Sequence, residues 1–214
     1  MLTKKNLIFL GGPGAGKGTV SNAMIAKYGV AHISTGDILR AEVAKGTPAG
    51  KEAGAIMKSG GLVPDAMVCG MVGERLKEPD CEKGFILDGF PRTIPQAEAL
   101  DEMDIEIDKV IDIEVADDVI VNRLSGRRVC EKCGRPYHTE SLKPKVEGVC
   151  DDCAGALIQR KDDHPDTVKS RLDIYHKETE PLKDYYEKQG KLYVVEGASS
   201  VEETTKLTFE ALEA

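Results

Sequence analysis

Short apolar runs recur along the chain, separated by longer stretches in which apolar residues return every three or four positions. The runs are Asn6-Leu7-Ile8-Phe9-Leu10, Val30-Ala31-His32-Ile33, Phe85-Ile86-Leu87, Val110-Ile111-Asp112-Ile113 and Leu192-Tyr193-Val194-Val195. The first has no polar break, which predicts a strand buried on both faces. Helical periodicity covers about Lys17 to Lys27, with Val20, Met24 and Ile25 inward. It returns in Met67, Val68, Met71, Val72 and Leu76, and in Val168, Leu172, Tyr175, Thr179 and Leu182. Strands alternating with helices predict parallel pairing, right-handed crossovers and an open, layered α/β core. A terminal helix is expected from Glu202 to Ala214, offering Leu207, Phe209 and Leu212 for burial.

Two segments break the alternation. Residues 34–63 are rich in Ala, Gly and Lys and predict short helices; residues 126–163 carry paired cysteines, Pro136 and Pro144. Both are read as insertions into one core made of residues 1–33, 64–125 and 164–214. The 214 residues suit a single core with insertions. There is no internal repeat and no low-complexity tract.

Composition narrows the function classes. At 41% hydrophobic and 31% charged residues the chain is that of a soluble globular protein. A net charge of −8 argues against a nucleic-acid coat or a basic membrane binder. With no Trp and 5% aromatics, a stacking platform for single strands is not expected. No apolar run reaches the ~18–20 residues of a membrane span. The basic start Met1-Leu2-Thr3-Lys4-Lys5 leads into an apolar stretch too short for a signal peptide, so a cytoplasmic setting is expected.

The first apolar run ends in Gly11-Gly12-Pro13-Gly14-Ala15-Gly16-Lys17, which matches Gly-x-x-x-x-Gly-Lys between a strand and a helix. Such a loop turns backbone N–H groups onto phosphate oxygens, the helix N-terminus adds partial positive charge, and the lysine reaches the outer phosphates. One departure stands out. Gly18 follows Lys17 where a Mg²⁺-binding hydroxyl is usual, and the hydroxyl comes at Thr19. That leaves Mg²⁺ to phosphates and water, with Thr19 offered to the α-phosphate.

Arginine is scarce, at nine against twenty lysines. Arg40, Arg92, Arg123, Arg127, Arg160 and Arg171 all sit in Gly-rich or acidic motifs. The guanidinium fork suits phosphate oxygens. Six such residues beside one phosphate loop imply more phosphate than one nucleotide carries, and hence transfer between two phosphorylated substrates.

Cys130-x-x-Cys133 and Cys150-x-x-Cys153 stand sixteen residues apart. That is the spacing of a structural Cys₄ zinc ribbon; iron fits the same four sulfurs, and two disulfides or a redox pair are the other readings. Cys69 is expected to be a small buried residue and Cys81 a loop thiol. The four histidines show no ligand spacing with the cysteines.

Taken in order, the blocks identify a family. The phosphate loop through Gly18-Thr19 is followed by Ile33-Ser34-Thr35-Gly36-Asp37-Ile38-Leu39-Arg40 and Gly61-Leu62-Val63-Pro64-Asp65. Then come Gly84-Phe85-Ile86-Leu87-Asp88-Gly89-Phe90-Pro91-Arg92-Thr93 with Gln96, Arg123-Leu124-Ser125-Gly126-Arg127-Arg128, and Arg160-Lys161-Asp162-Asp163 with Arg171. Together they resemble the adenylate kinases of the long-lid type, members of the nucleoside monophosphate kinases.

The resemblance implies ATP + AMP ⇌ 2 ADP with Mg²⁺ on a three-layer fold of the P-loop NTPase type, with a five-stranded parallel sheet. It makes residues 34–63 an insertion that closes over AMP and residues 126–163 a zinc-ribbon lid over ATP, stiffened by structural Zn²⁺ on Cys130, Cys133, Cys150 and Cys153. It implies that Gly14, Ala15, Gly16, Lys17, Gly18 and Thr19 cradle the ATP phosphates. Arg123 would stack on its adenine, Pro136 and Tyr137 would touch it from the lid, and the backbone near Ser199 would meet the base. Thr35, Arg40, Gly61, Leu62, Val63, Gly89, Phe90, Pro91, Arg92 and Gln96 would bind AMP, with Arg40 and Arg92 on its phosphate. Arg127, Arg160 and Arg171 would hold the moving phosphoryl group, the last two also facing AMP. Asp88, at the end of an apolar strand, resembles a Walker B acid acting on Mg²⁺ through water. A monomer with no nucleic-acid or membrane partner is implied.

Two other readings stay in view. A kinase of the same fold for UMP or CMP would differ in the acceptor pocket, where Thr35, Thr93 and Gln96 look adenine-selective. A zinc-ribbon nucleic-acid module with a nucleotide switch conflicts with the charge, the missing aromatic stripe and the second arginine set.

Overall fold

The protein is described by a computed structural model covering residues 6–197 and 201–213. The basic N-terminal start and Ser199, with its expected adenine contact, lie outside the described residues.

The five apolar runs form five strands: β1 (Asn6–Leu10), β2 (Ala31–Ser34), β3 (Phe85–Asp88), β4 (Lys109–Glu114) and, last in the chain, β8 (Leu192–Glu196). They make one parallel sheet in the order β2-β3-β1-β4-β8. Successive β1 residues face opposite ways. Ile8 and Leu10 join Ile33, Leu87, Val110, Val72, Leu100 and Tyr186 on one side. Leu7 and Phe9 join Ile86, Ile111, Val20, Met24 and Leu212 on the other. The first side is covered by α4 (Asp65–Leu76), α5 (Ile94–Asp101) and α8 (Leu182–Lys188). The second is covered by α1 (Lys17–Tyr28) and α9 (Val201–Glu213), completing three layers.

Two stretches leave the sheet. After β2 the chain forms α2 (Thr35–Lys45) and α3 (Pro48–Lys58). Their starts are set locally, because Ser34 Oγ accepts from Asp37 N–H at 3.3 Å and Thr47 Oγ1 from Gly50 N–H at 2.9 Å. After α6 (Asp117–Gly126) come β5 (Arg127–Cys130), β6 (Pro136–His138) and β7 (Leu157–Ile158), an antiparallel sheet in the order β6-β5-β7. The chain rejoins the core through α7 (Pro165–Ile174) and a single π-helical turn, Tyr175–Thr179.

Three expectations need correction. On α9, Leu212 is buried and Leu207 and Phe209 pack half-buried against the core as expected, but Thr204 and Thr208, which were not expected there, are buried as well. Cys81 is the buried thiol, in a short 3₁₀ turn beside Arg75, and Cys69 is half-buried on α4. Ile25 is half-buried, and the inner face of α1 is Val20, Ser21 and Met24.

Candidate active site

The chain runs from β1 outward in both directions across the sheet, since β3 lies on one side of β1 and β4 on the other. Ligands of open α/β sheets bind at the carboxyl ends of the strands beside such a switch point. A cleft of about 990 Å³ opens there, between the sheet, the α2–α3 stretch and the small antiparallel sheet. The turn after β1 forms its floor. Gly11 has φ 129°, and a Cβ there would lie 2.5 Å from the Ile113 carbonyl oxygen, so only glycine fits. Gly14 is equally constrained, with a Cβ position 2.8 Å from Leu124. No side chain caps α1, whose N-cap is Gly16. Its first N–H groups are therefore left for an anion.

Lys17 curls back over this turn, donating to the carbonyls of Gly11 (2.7 Å) and Gly12 (2.9 Å). Burial pushes its ammonium down to about 8, partly countered by Asp88 and reinforced by Arg92 and Arg171. Asp88 ends β3 level with Ser34 and Phe9. Burial raises its carboxyl, but the His32 contact at 3.4 Å and the charges of Lys17 and Arg92 outweigh that and hold it below the usual range. Its Oδ2 lies 3.5 Å from where a Cβ on Gly18 would be, so the acid faces the start of α1.

Opposite stands a cationic wall. Arg40, Arg92, Arg123, Arg127, Arg160 and Arg171 all line the cleft. Desolvation, and then crowding by Arg40 and Arg127, pushes Arg160 down to about 10; desolvation and Arg171 do the same to Arg92. Carboxylates hold the wall in place. Asp37 accepts from Arg40 at 2.6 Å. Buried Asp163 accepts from Arg127 Nε and Nη2 at 2.8 and 2.5 Å and from Arg171 Nη1 at 3.2 Å. A wall of like charges in a desolvated cleft is stabilised by a polyanion, and phosphate matches the guanidinium forks.

The third component is the turn after β3. Thr35 Oγ1 and Arg92 Nε both donate to the Gly89 carbonyl, at 2.7 and 2.8 Å. Gln96 Oε1 accepts from Arg92 N–H at 2.8 Å while its Nε2 donates to Asp65 Oδ1 at 2.7 Å. One donor and one acceptor site of that amide remain. Gly61, Leu62 and Val63 line the cleft next to this turn, as do Gly89 and Pro91.

Most sequence-predicted residues thus meet in one cleft, Gly14, Gly16, Gly18, Thr19 and Pro136 included. Three do not face it. Ala15 is buried, and what it presents is its carbonyl, which accepts from Arg123 at 3.2 Å. Phe90 is fully buried in the core beneath the turn. Tyr137 points the other way, into the small sheet, where its hydroxyl accepts from Asp151 N–H at 2.7 Å and donates to Cys150 Sγ at 3.5 Å. Conversely, His32, Tyr175 and Thr179 line the cleft, although the helical spacing of Tyr175 and Thr179 reads as core and His32 carries no ligand spacing. His32 reaches Asp88 only because β2 and β3 pair in register, which no local spacing reveals.

The four paired cysteines converge beside the small sheet, with Cys133 lining the cleft. Their sulfurs all lie within 4.8 Å of one another, with Cys130–Cys153 at 3.4 Å and Cys133–Cys150 at 3.6 Å. Four thiolates about 2.3 Å from a tetrahedral ion would stand about 3.8 Å apart, so the set fits a metal ion. Backbone crowds in on them: a Cβ on Gly155 would lie 2.8 Å from Cys130 Sγ.

A phosphate loop and lysine on the floor, and six arginines around the same cleft, one of them on the separate turn after β3, define a phosphotransferase of the P-loop class. Comparison narrows the class. The family model described as "Adenylate kinase" matches residues 9–191. The chain is 53% identical over 211 residues to the adenylate kinase of Fervidobacterium nodosum, covering 97% of both chains. It is 54% identical over 201 residues to those of Carboxydothermus hydrogenoformans (92% of this chain, 94% of that protein) and Archaeoglobus fulgidus (92% and 93%). The chain belongs to the adenylate kinase family.

Proposed function

We propose that the protein transfers the terminal phosphoryl group of Mg-ATP to AMP, reversibly, giving two ADP. The observation that carries this reading is the convergence of the Lys17 loop, the arginine wall and the Arg92 turn on one cleft. ATP phosphates would rest on Gly14 to Thr19 and Lys17, with Arg123 against the adenine. The AMP phosphate would meet Arg40 and Arg92, and its base the spare donor and acceptor of Gln96. Arg127, Arg160 and Arg171 would neutralise the phosphoryl group in flight. Asp88 would hold the waters of the nucleotide's Mg²⁺. Phosphoryl transfer needs positioning and charge neutralisation more than a base. The α2–α3 stretch and the small sheet would close over AMP and ATP, excluding water that would otherwise accept the phosphoryl group. The working form would be a cytoplasmic monomer; no helix among the described residues is long and apolar enough to cross a membrane.

ADP formation from Mg-ATP with AMP, UMP, CMP, GMP or no acceptor tests the reading. Fast turnover with AMP alone and little ATP loss without acceptor are expected. Preference for UMP or CMP would overturn the role given to Gln96 and Thr35.

The cysteine cluster is assigned to Zn²⁺ as a structural ion, because four thiolates leave no position open for chemistry. It would tie β5, which carries Arg127, to the loop that carries Cys150 and Cys153. Chelation is expected to lower the melting temperature by several degrees, with zinc restoring it. An unchanged melting curve after metal analysis has verified removal would sink this assignment.

A further inference from the structure

We infer that Thr179 is a positioning residue for Arg92, and that the π-helical turn Tyr175–Thr179 exists to supply it. The inference rests on the reading of Arg92 as a ligand of the acceptor phosphate.

Arg92 is held at three points. Its N–H donates to Gln96 Oε1, its Nε to the Gly89 carbonyl, and its own carbonyl accepts from Thr179 Oγ1, each at 2.8 Å. Only the two terminal guanidinium nitrogens are then left to aim at a phosphate. The first two contacts come from the same turn and the helix that follows it. Thr179 alone comes from elsewhere, 87 residues further along the chain.

A threonine inside a helix ordinarily bonds the carbonyl four residues back. For Thr179 that is Tyr175, whose carbonyl instead accepts from Glu180 N–H at 2.8 Å, five residues on. The widened turn shifts the local register by one residue, and the buried hydroxyl donates not to that carbonyl but across to the carbonyl of Arg92. The turn follows directly on α7, which carries Arg171. One helical passage therefore presents Arg171 itself and fixes the main chain of Arg92. The spacing of Arg92 and Arg171 in the cleft would then be set by one helical element and not by two independent loops. That is preorganisation of charge, which acts on transfer and not only on folding.

The test compares Thr179→Val, which keeps the shape and deletes the hydroxyl, with Thr179→Ser, which keeps it, each alone and with Arg92→Ala. The readouts are kcat, KM for AMP and KM for ATP. T179V is expected to raise KM for AMP about tenfold and lower kcat several-fold, the size of one lost hydrogen bond. KM for ATP should stay within about twofold, and T179S within about twofold of the parent throughout. In the R92A background T179V should add nothing further, because both act through one group. If T179V proves unfolded, Thr179→Ala carries the same comparison. Normal AMP kinetics in T179V, impairment of T179S equal to that of T179V, or multiplying effects in the double variant would each overturn the inference alone. Unchanged AMP kinetics in R92A would overturn the reading of Arg92 and this inference with it.

Discussion

Replacing Lys17 by Met is expected to lower turnover by about 10²–10³-fold or more, the cost of deleting a preorganised charge at a developing phosphoryl anion. The fold should survive intact. Lys17 contributes its charge from a place that disfavours it: burial and the neighbouring Arg92 and Arg171 bring its ammonium from 10.5 to about 8. A lowered lysine costs stability while it is protonated in both states. Between about 8 and 10.5 the unfolded chain binds the extra proton, so the native protein gains stability as pH rises through that window. Methionine removes this term. At neutral pH the K17M protein should melt at the same temperature as the parent or higher, and its rise between pH 8 and 10 should be flatter. A coupled ADP assay with melting curves from pH 7 to 10 checks both halves. Near-normal turnover would remove Lys17 from the mechanism, and a collapsed melting temperature would make it a structural residue.

The parallel strands were legible because each is a short run rich in apolar residues, most completely β1, which is buried on both faces; β8 keeps the pattern although it lies at the sheet edge with Val194 exposed. The phosphate loop was legible for a different reason. Its chemistry is local, and Gly11 and Gly14 have no room for a side chain. What stayed hidden depends on contacts between distant segments. The core threonines of α9 break no pattern that hydrophobicity could show, because Thr208 satisfies its hydroxyl on the Thr204 carbonyl at 2.8 Å and is then free to be buried. The spacing of Val168, Leu172, Tyr175, Thr179 and Leu182 reads as one continuous helix, and nothing in it discloses a widened turn. Tyr137 beside Pro136 reads as a pair facing one way, yet successive strand residues face opposite ways, and Tyr137 takes the face toward the cysteines. The arginines were legible as a set. The carboxylates that aim them were not, since Asp163 reads as one more charge in an acidic run until Arg127, 36 residues earlier, is folded against it.

That acid supports the second large prediction. Asp163→Ala is expected to destabilise the protein by about 3 kcal/mol, at the low end for breaking a buried ion pair. The low end applies because Arg127 and Arg171 keep 20% and 18% of their side-chain surface in water, whereas Asp163 keeps none. At about 2–4 °C per kcal/mol for a chain of this size, the melting temperature should fall by roughly 6–12 °C. Turnover should fall by about a hundredfold even where the variant is fully folded, because Arg127 loses the carboxylate that orients it and Arg171, held also by the Asp162 carbonyl and carboxylate at 3.0 and 3.1 Å, loses one of its acceptors. Asp163→Asn keeps the shape and one acceptor and should fall between. Saturating nucleotide separates the two roles of the carboxylate. Phosphate oxygens supply neutralising charge to Arg127 and Arg171, so ATP with AMP should raise the melting temperature of D163A by more than it raises the parent's. Orientation is not restored by charge alone, so the turnover defect should persist under the same conditions. A variant that melts and turns over like the parent would show that the arginine wall stands without Asp163. One whose turnover recovers fully at saturating nucleotide would show that the acid neutralises but does not aim.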